Sequence, residues 1–144
     1  MAIIIDANRA GDFGPSHAAL APEIMRRIAE RQMFVVAGGN LLRELFQTNL
    51  RNLLVEWTRA GRVKRVDDIS VEAEEKQIKL KKILSDDPHI LALARISGCR
   101  LLYTDDSNLI KDFKNLNLIK PKGKVVKSDT RIDVALSLFN KLGA

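Results

Sequence analysis

A chain of 144 residues fits one domain, residues 1–144, and is too short for two domains of ordinary size. Its content of 46% hydrophobic and 29% charged residues is typical of folded globular proteins and excludes an intrinsically disordered chain. The net charge of +6 and the pI of about 9.7 favour a polyanionic partner, most commonly nucleic acid, although a basic protein without such a partner carries the same charge.

The start of the chain and its cysteine content suggest a compartment. The first apolar run stops at Asp6 after five residues, which is too short for a signal sequence or a membrane span. Cys99 is the single cysteine and cannot form an internal disulfide, so nothing indicates an oxidising compartment. We therefore expect a cytoplasmic protein that does not associate with a membrane.

In the first half of the chain, apolar and β-branched runs alternate with runs of helical spacing. Residues 9–22 contain Gly and Pro and predict mostly loop. Residues 40–60 have apolar side chains at helical intervals and predict one continuous helix that ends before Gly61. The remaining predictions are strands at 2–6, 33–39 and 62–66, and a helix at 22–32.

The second half continues the alternation. It predicts helices at 67–85, 86–98, 108–115 and 130–143, and strands at 99–104 and 122–127. Strands that alternate with helices from end to end predict an α/β sandwich with a mainly parallel central sheet. In such sheets, ligands bind beyond the carboxyl ends of the strands, where the strand order reverses.

Acidic residues follow two of the predicted strands. Asp6 comes directly after three isoleucines, and because Gly11, Gly14 and Pro15 follow, no clear helix starts there for it to cap. Asp105 and Asp106 follow the strand "CRLLYT"; either one could cap the next helix, but two adjacent acids exceed what one cap requires. A functional site at the strand ends is therefore the preferred interpretation.

Two further acids are ambiguous. Asp87 precedes Pro88 at a helix start, which is typical of an N-cap, yet the helix behind it is almost wholly apolar and would carry the acid inward. Glu44 lies near the edge of an apolar helical stripe, where a solvated position is the simpler explanation. His17 and His89 make no ligand pair and we assign neither to a metal, although His89 is close enough to Asp87 in the chain to contact a substrate.

The chain has no glycine-rich phosphate loop, no CxxC pair and no HExxH motif, so oxygen-ligated metal is the only chemistry with several candidate residues. Four stretches, "IIIDAN", "NLLREL", "DDPHILALA" and "LLYTDDSNL", resemble in that order the four acidic motifs of the PIN-domain nucleases, from Ile3 to about Phe113. The family's spacing favours Asp87 over Asp86 and Asp106 over Asp105. It also favours Glu44 as a site residue more strongly than its helical position does.

The resemblance implies a three-layer α/β/α sandwich and a metal-dependent hydrolase, an endoribonuclease that uses Mg²⁺ or Mn²⁺ to cleave RNA. Small stand-alone PIN domains are often the toxin of a toxin–antitoxin pair. RNA is therefore the expected partner, and an antitoxin protein and a second copy of the chain are further candidates.

On this basis each candidate residue receives a role. The predicted metal ligands are Asp6, Asp87 and Asp106, with Glu44 as a fourth ligand or as the group that orients the attacking water. Asp105 is expected to contact the metal site through a water molecule. Asn8 and Thr104 are expected to hydrogen-bond the metal ligands or the scissile phosphate. Three cations, Arg9, Arg43 and Lys111, are expected to hold the RNA backbone.

Two alternatives remain open. One is a catalytically inactive RNA- or protein-binding module with the same fold. The other is a phosphoacceptor receiver-type domain, which also has aspartates at strand ends. That domain needs an acid pair after its first strand, whereas this chain has its pair after the "LLYT" strand.

Overall fold

The computed structural model describes residues 1–15 and 20–143, so part of the predicted loop, with His17, lies outside the described residues. The strands are β1 (Ala2–Ile5), β2 (Phe34–Gly38), β3 (Val63–Val66), β4 (Leu101–Tyr103) and β5 (Lys124–Val126). The helices are a 3₁₀ helix (Ala7–Phe13), α1 (Ala21–Ala29), α2 (Gly39–Phe46), α3 (Arg51–Arg59), α4 (Asp68–Lys79), α5 (Pro88–Ser97), α6 (Ser107–Phe113) and α7 (Ile132–Gly143).

The five strands form one sheet in the order β3-β2-β1-β4-β5, and every pair is parallel. Helices flank the sheet, which confirms the predicted α/β class and its three-layer α/β/α arrangement. The central strand β1 consists of residues that are apolar on both faces, and Ile3, Ile4 and Ile5 are fully buried. The edge strands β3 and β5 carry the charged residues Lys64, Arg65 and Lys124, as expected where one side of a strand meets solvent.

The strand order reverses between β1 and β4. Strands β2 and β3 follow β1 on one side of it. The chain then crosses to the other side of β1, where β4 and β5 are added in turn. Because neighbouring helices diverge at such a point, a crevice forms beyond the carboxyl ends of the two strands. The register pairs Ile5 with Tyr103, so the residues that enter this crevice are those that follow them, Asp6 and Thr104.

The predicted continuous helix over residues 40–60 is wrong, because α2 ends at Phe46 and α3 begins at Arg51. The interruption centres on Thr48. Its hydroxyl donates to the Leu45 carbonyl at 2.6 Å and accepts the Leu50 amide at 3.2 Å, so a side chain replaces the helical backbone bonds.

Several other boundaries differ from the predictions. The predicted loop after β1 begins with the 3₁₀ helix, and α4 stops at Lys79 rather than continuing to residue 85. The helix after Pro88 ends as expected, since Gly98 adopts the left-handed conformation with φ of 77°. Among the described helices, none combines the length and the hydropathy needed to cross a bilayer.

Candidate active site

Asp6 and Thr104 meet at the crevice between β1 and β4. The Asp6 amide donates to the Tyr103 carbonyl at 3.0 Å, which continues the pairing of the two strands. The Thr104 hydroxyl donates to Asp6 Oδ2 at 2.7 Å, and the main-chain amide of Asn8 donates to Oδ1 at 3.2 Å. Asp6 is only 4% exposed, so its carboxylate is held in one position, and it caps the 3₁₀ helix that the sequence did not predict.

Asp106 is joined to Asp6 through the same threonine. The Asp106 amide donates to Thr104 Oγ1 at 3.1 Å, so one hydroxyl bridges the two acidic positions. Asp106 Oδ1 accepts the Asn108 and Leu109 amides at 2.9 and 3.1 Å, which caps α6. Both capping bonds go to Oδ1, so capping leaves Oδ2 for another partner.

Asp87 occupies the N-cap position of α5, but its side chain makes no capping hydrogen bond. The interpretation of Asp87 as an ordinary cap is therefore wrong. Burial raises the pKa of Asp87 above its ordinary value, and the charge of Asp6 is the next largest cause. Asp106 and Glu44 raise this pKa as well, whereas His89 lowers it.

These influences place Asp6, Glu44 and Asp106 within electrostatic range of Asp87. The four acids come from four separate parts of the chain, and none of the other three provides Asp87 with a compensating positive charge. The folded chain therefore concentrates negative charge at the strand-order reversal.

Glu44 is linked to this region by a hydrogen bond with His89. Glu44 Oε1 and His89 Nε2 are 2.9 Å apart, which joins the last turn of α2 to the first turn of α5. The His89 side chain is 9% exposed, whereas that of Glu44 is 48% exposed. Glu44 thus lies at the edge of the site, half in solvent, and its position depends on a histidine that the sequence offered only as a substrate contact.

Asp105 has different partners from Asp106. Its carboxylate accepts a hydrogen bond from Arg9 Nη1 at 2.8 Å, from the Ser128 amide at 2.8 Å and from the Ser128 hydroxyl. Burial acts to raise the pKa of Asp105, but the Ser128 hydrogen bonds and the Arg9 charge outweigh it and hold the pKa below its ordinary value. The two adjacent acids therefore serve separate purposes, since Asp105 joins the 3₁₀ helix to the segment after β5.

A polar network extends from Arg9 along the rim. Arg9 lies 3.5 Å from Asp12, and the Tyr103 hydroxyl donates to Asp12 at 2.7 Å. Burial and the Asp12 hydrogen bond raise the pKa of Tyr103, which keeps the phenol protonated. Arg9 is thus engaged by two carboxylates, Asp12 and Asp105, in this structure.

The other two predicted RNA contacts are exposed. Arg43 lies 3.9 Å from Asp68 and 3.8 Å from Glu72, so acids of α4 surround it. Lys111 is exposed on α6, and within the described residues it forms no ion pair.

Sequence reasoning missed Asp112. This acid is 2% exposed, and its carboxylate accepts the Leu84 amide at 3.0 and 3.1 Å and the Ser85 amide at 2.9 Å. It thereby anchors the segment that leads into Asp87. The spacing of Leu109, Asp112 and Phe113 in α6 puts the acid on the buried face of the helix, and that was the available signal.

The donor set is suited to a hard divalent cation. Carboxylate oxygens are the ligands that Mg²⁺ and Mn²⁺ prefer, and the site offers no thiolate. Over residues 1–15 and 20–143, no three of the His, Cys, Asp and Glu side chains yet converge as a complete ligand group. The residues therefore fit such an ion by the chemistry of their donor atoms, and a rearrangement would have to bring those atoms together around it.

Comparison with known proteins identifies no relative, since no protein-family model, curated protein or solved structure matches the chain. Function is therefore inferred from the sequence and from the arrangement of these residues.

We expect Asp112→Ala to lower the free energy of unfolding by about 1–3 kcal/mol, because two amides would lose a buried acceptor. Asp112→Asn should have a smaller effect, since one oxygen acceptor remains. Urea unfolding measures both. Asp129→Asn is the matched control at an exposed acid, and equal stability of all three variants would show that the Asp112 bonds contribute nothing.

We expect Asp87→Asn to stabilise the metal-free protein at pH 7. Because the pKa of Asp87 is raised in the folded state, the folded chain binds more protons than the unfolded chain between the ordinary value of 3.8 and the raised value. Stability therefore falls as the pH rises through this window, and asparagine removes the loss. The gain should disappear below pH 3.8.

Thermal unfolding in EDTA across this pH range measures the effect. Asp86→Asn, at the exposed neighbouring acid, is the matched control. An Asp87→Asn variant that is no more stable at pH 7 than Asp86→Asn would show that Asp87 carries no electrostatic strain.

Proposed function

We propose that the chain is a divalent-metal-dependent endoribonuclease that hydrolyses RNA phosphodiester bonds, with Asp6, Asp87 and Asp106 as the residues that would hold Mg²⁺ or Mn²⁺. The observation that carries this proposal is the position of Asp87. Its half-buried carboxylate lies within electrostatic range of other acids at the strand-order reversal, makes no capping bond and has a raised pKa. A bound cation would relieve that repulsion.

The residues around the acids have distinct tasks in this proposal. Thr104 holds Asp6 and the main chain of Asp106 at a fixed separation, so two of the three acids are prepositioned. When bound, a divalent ion lowers the pKa of a coordinated water and neutralises charge on the phosphate. Glu44, hydrogen-bonded to His89 at the solvent edge, would accept a hydrogen bond from the attacking water.

RNA as the substrate is supported by the net charge of +6 and by the resemblance to PIN-domain nucleases. That resemblance also supports a cytoplasmic toxin, with an antitoxin protein or a second copy of the chain as partner.

A second candidate is a module that binds RNA or protein without cleavage. It is favoured by the lack of a converged ligand group in the described part of the chain and by the pairing of Glu44 with His89. In such a module the acids would remain without a productive metal.

We expect Asp6→Asn and Asp106→Asn each to reduce Mn²⁺-dependent RNA cleavage by at least about 100-fold, equivalent to about 2.7 kcal/mol of transition-state stabilisation. Asn caps helices as well as Asp does, so Asp106→Asn keeps the cap of α6 while it removes the charge. Cleavage of a labelled RNA and Mn²⁺ titration by calorimetry measure the two effects.

The control for this experiment is Asp129→Asn, at an exposed acid, which should cleave at the unmodified rate. Full activity of Asp106→Asn would mean that capping is the whole role of this residue. Cleavage that persists in EDTA would refute the metal mechanism, and RNA binding without any cleavage would favour the non-catalytic module.

A further inference from the structure

A basic groove lies at a distance from the acidic site. Two surface pockets, each of about 370 Å³, adjoin along the turn between α6 and β5 and share Asn117 and Leu118 as lining residues. The turn also contributes Asn115, Leu116 and Lys120 to the lining. The charged lining residues are all cations: Lys81, Lys82, Arg95, Arg100 and Lys120.

One arginine, Arg100, is fixed in this groove by neutral groups. Arg100 Nη1 donates to the Ala94 carbonyl at 2.7 Å, and Nη2 donates to the Lys120 carbonyl at 2.6 Å. These carbonyls position the guanidinium but do not neutralise its charge. Burial lowers the pKa of Arg100, and the neighbouring charge of Arg95 lowers it further, so the two cations are close enough to repel each other.

The positive charge of the groove is only partly compensated. Arg95 donates to Glu74 at 3.0 Å, but its buried Nη1 and the buried Nε of Arg100 have no acceptor among the described residues. In the same part of the chain, Lys81, Lys82 and Lys120 form no ion pair. A groove whose lysines have no acidic partner is complementary to an anionic ligand.

The groove is connected to the acidic site by helix α5 and by the segment before it. Asp87 precedes α5, and Arg95 lies eight residues later, which corresponds to about 12 Å along the helix axis. Lys82 lies five residues before Asp87 in the anchored segment.

Arg100 and Lys120 precede β4 and β5, whereas Asp6 and Thr104 follow β1 and β4, so the two regions lie toward opposite ends of the parallel strands. A ligand that contacts both regions would have to be an extended polymer.

We propose that the basic groove binds the phosphodiester backbone of single-stranded RNA and so extends the substrate contact beyond the acids. This inference rests on the proposed function for the identity of the polymer as RNA. The lining contains two asparagine amides that can bond ribose hydroxyls, and no aromatic residue on which bases could stack. An acidic peptide is the rival ligand, and the test below distinguishes it from RNA.

The test compares two triple variants. The groove variant is Lys81→Gln, Lys82→Gln and Lys120→Gln; the matched control is Lys64→Gln, Lys76→Gln and Lys141→Gln, at exposed lysines outside both pockets. Each lowers the net charge from +6 to +3, since 6 − 3 = 3. Binding of a fluorescein-labelled single-stranded RNA is measured by anisotropy in EDTA, at about 50 to 200 mM salt. Thermal unfolding verifies that both variants fold.

For the groove variant, the magnitude of the slope of log affinity against log salt should decrease by about 2, because each of the three lost phosphate contacts accounts for about 0.7 of it. Its affinity at 0.1 M salt should be on the order of 10- to 100-fold weaker. The control should match the unmodified chain. Equal losses in both variants would overturn the inference, because only net charge would then matter.

Two other outcomes would also overturn it. One is that the unmodified chain binds no RNA; the other is that the groove variant loses affinity for polyglutamate while it keeps full affinity for RNA. Because the groove variant retains Asp6, Asp87 and Asp106, the two proposals can fail separately. A chain that binds RNA through the groove but never cleaves it would refute only the proposed function.

Discussion

The parallel pairing of β1 with β4 is the constraint on which the site depends. It brings Asp6 beside Thr104, which is 98 residues away in the chain, and the bond between them closes the strand pair at its carboxyl end. Because the strand order reverses here, no crossover helix covers this end, and polar side chains can face a crevice. The buried isoleucines of β1 supply the hydrophobic stabilisation that tolerates a buried acid beside them.

The acids are held in place although they repel one another. Asp6 and Asp106 each accept amide or hydroxyl hydrogen bonds, whereas Asp87 has a raised pKa and no capping bond. The segment before Asp87 keeps its position because Asp112 satisfies its amides. Such an arrangement costs stability in the absence of a cation, and residues that break local rules in this way are typical of functional sites.

Local patterns predicted the strands and the strand-end acids, because a buried parallel strand has a continuous apolar sequence and the residue that ends it is visible in the chain. They could not predict the break at Thr48, where a side-chain hydrogen bond competes with a good helical pattern. The Glu44–His89 pair was equally inaccessible, and for Asp112 spacing indicated burial but not its partners, the Leu84 and Ser85 amides. Each depends on how two helices or a helix and a loop pack together, which spacing within one segment does not determine. Asp105 illustrates the same limit, since its partner Ser128 follows a different strand.

The chain separates its charges by sign, and this separation has a physical advantage. An acidic site that must attract a cation also repels a phosphodiester, so it contributes little to substrate affinity by itself. Cations placed directly among the acids would pair with them, as Arg9 does with Asp105, and would compete with a metal. A groove whose cations begin about 12 Å further along α5 lessens this conflict, since interactions between exposed charges weaken beyond the Debye length of about 8 Å at physiological salt. In the proposed function, RNA backbone binding and metal binding would then occupy separate surfaces of one small domain.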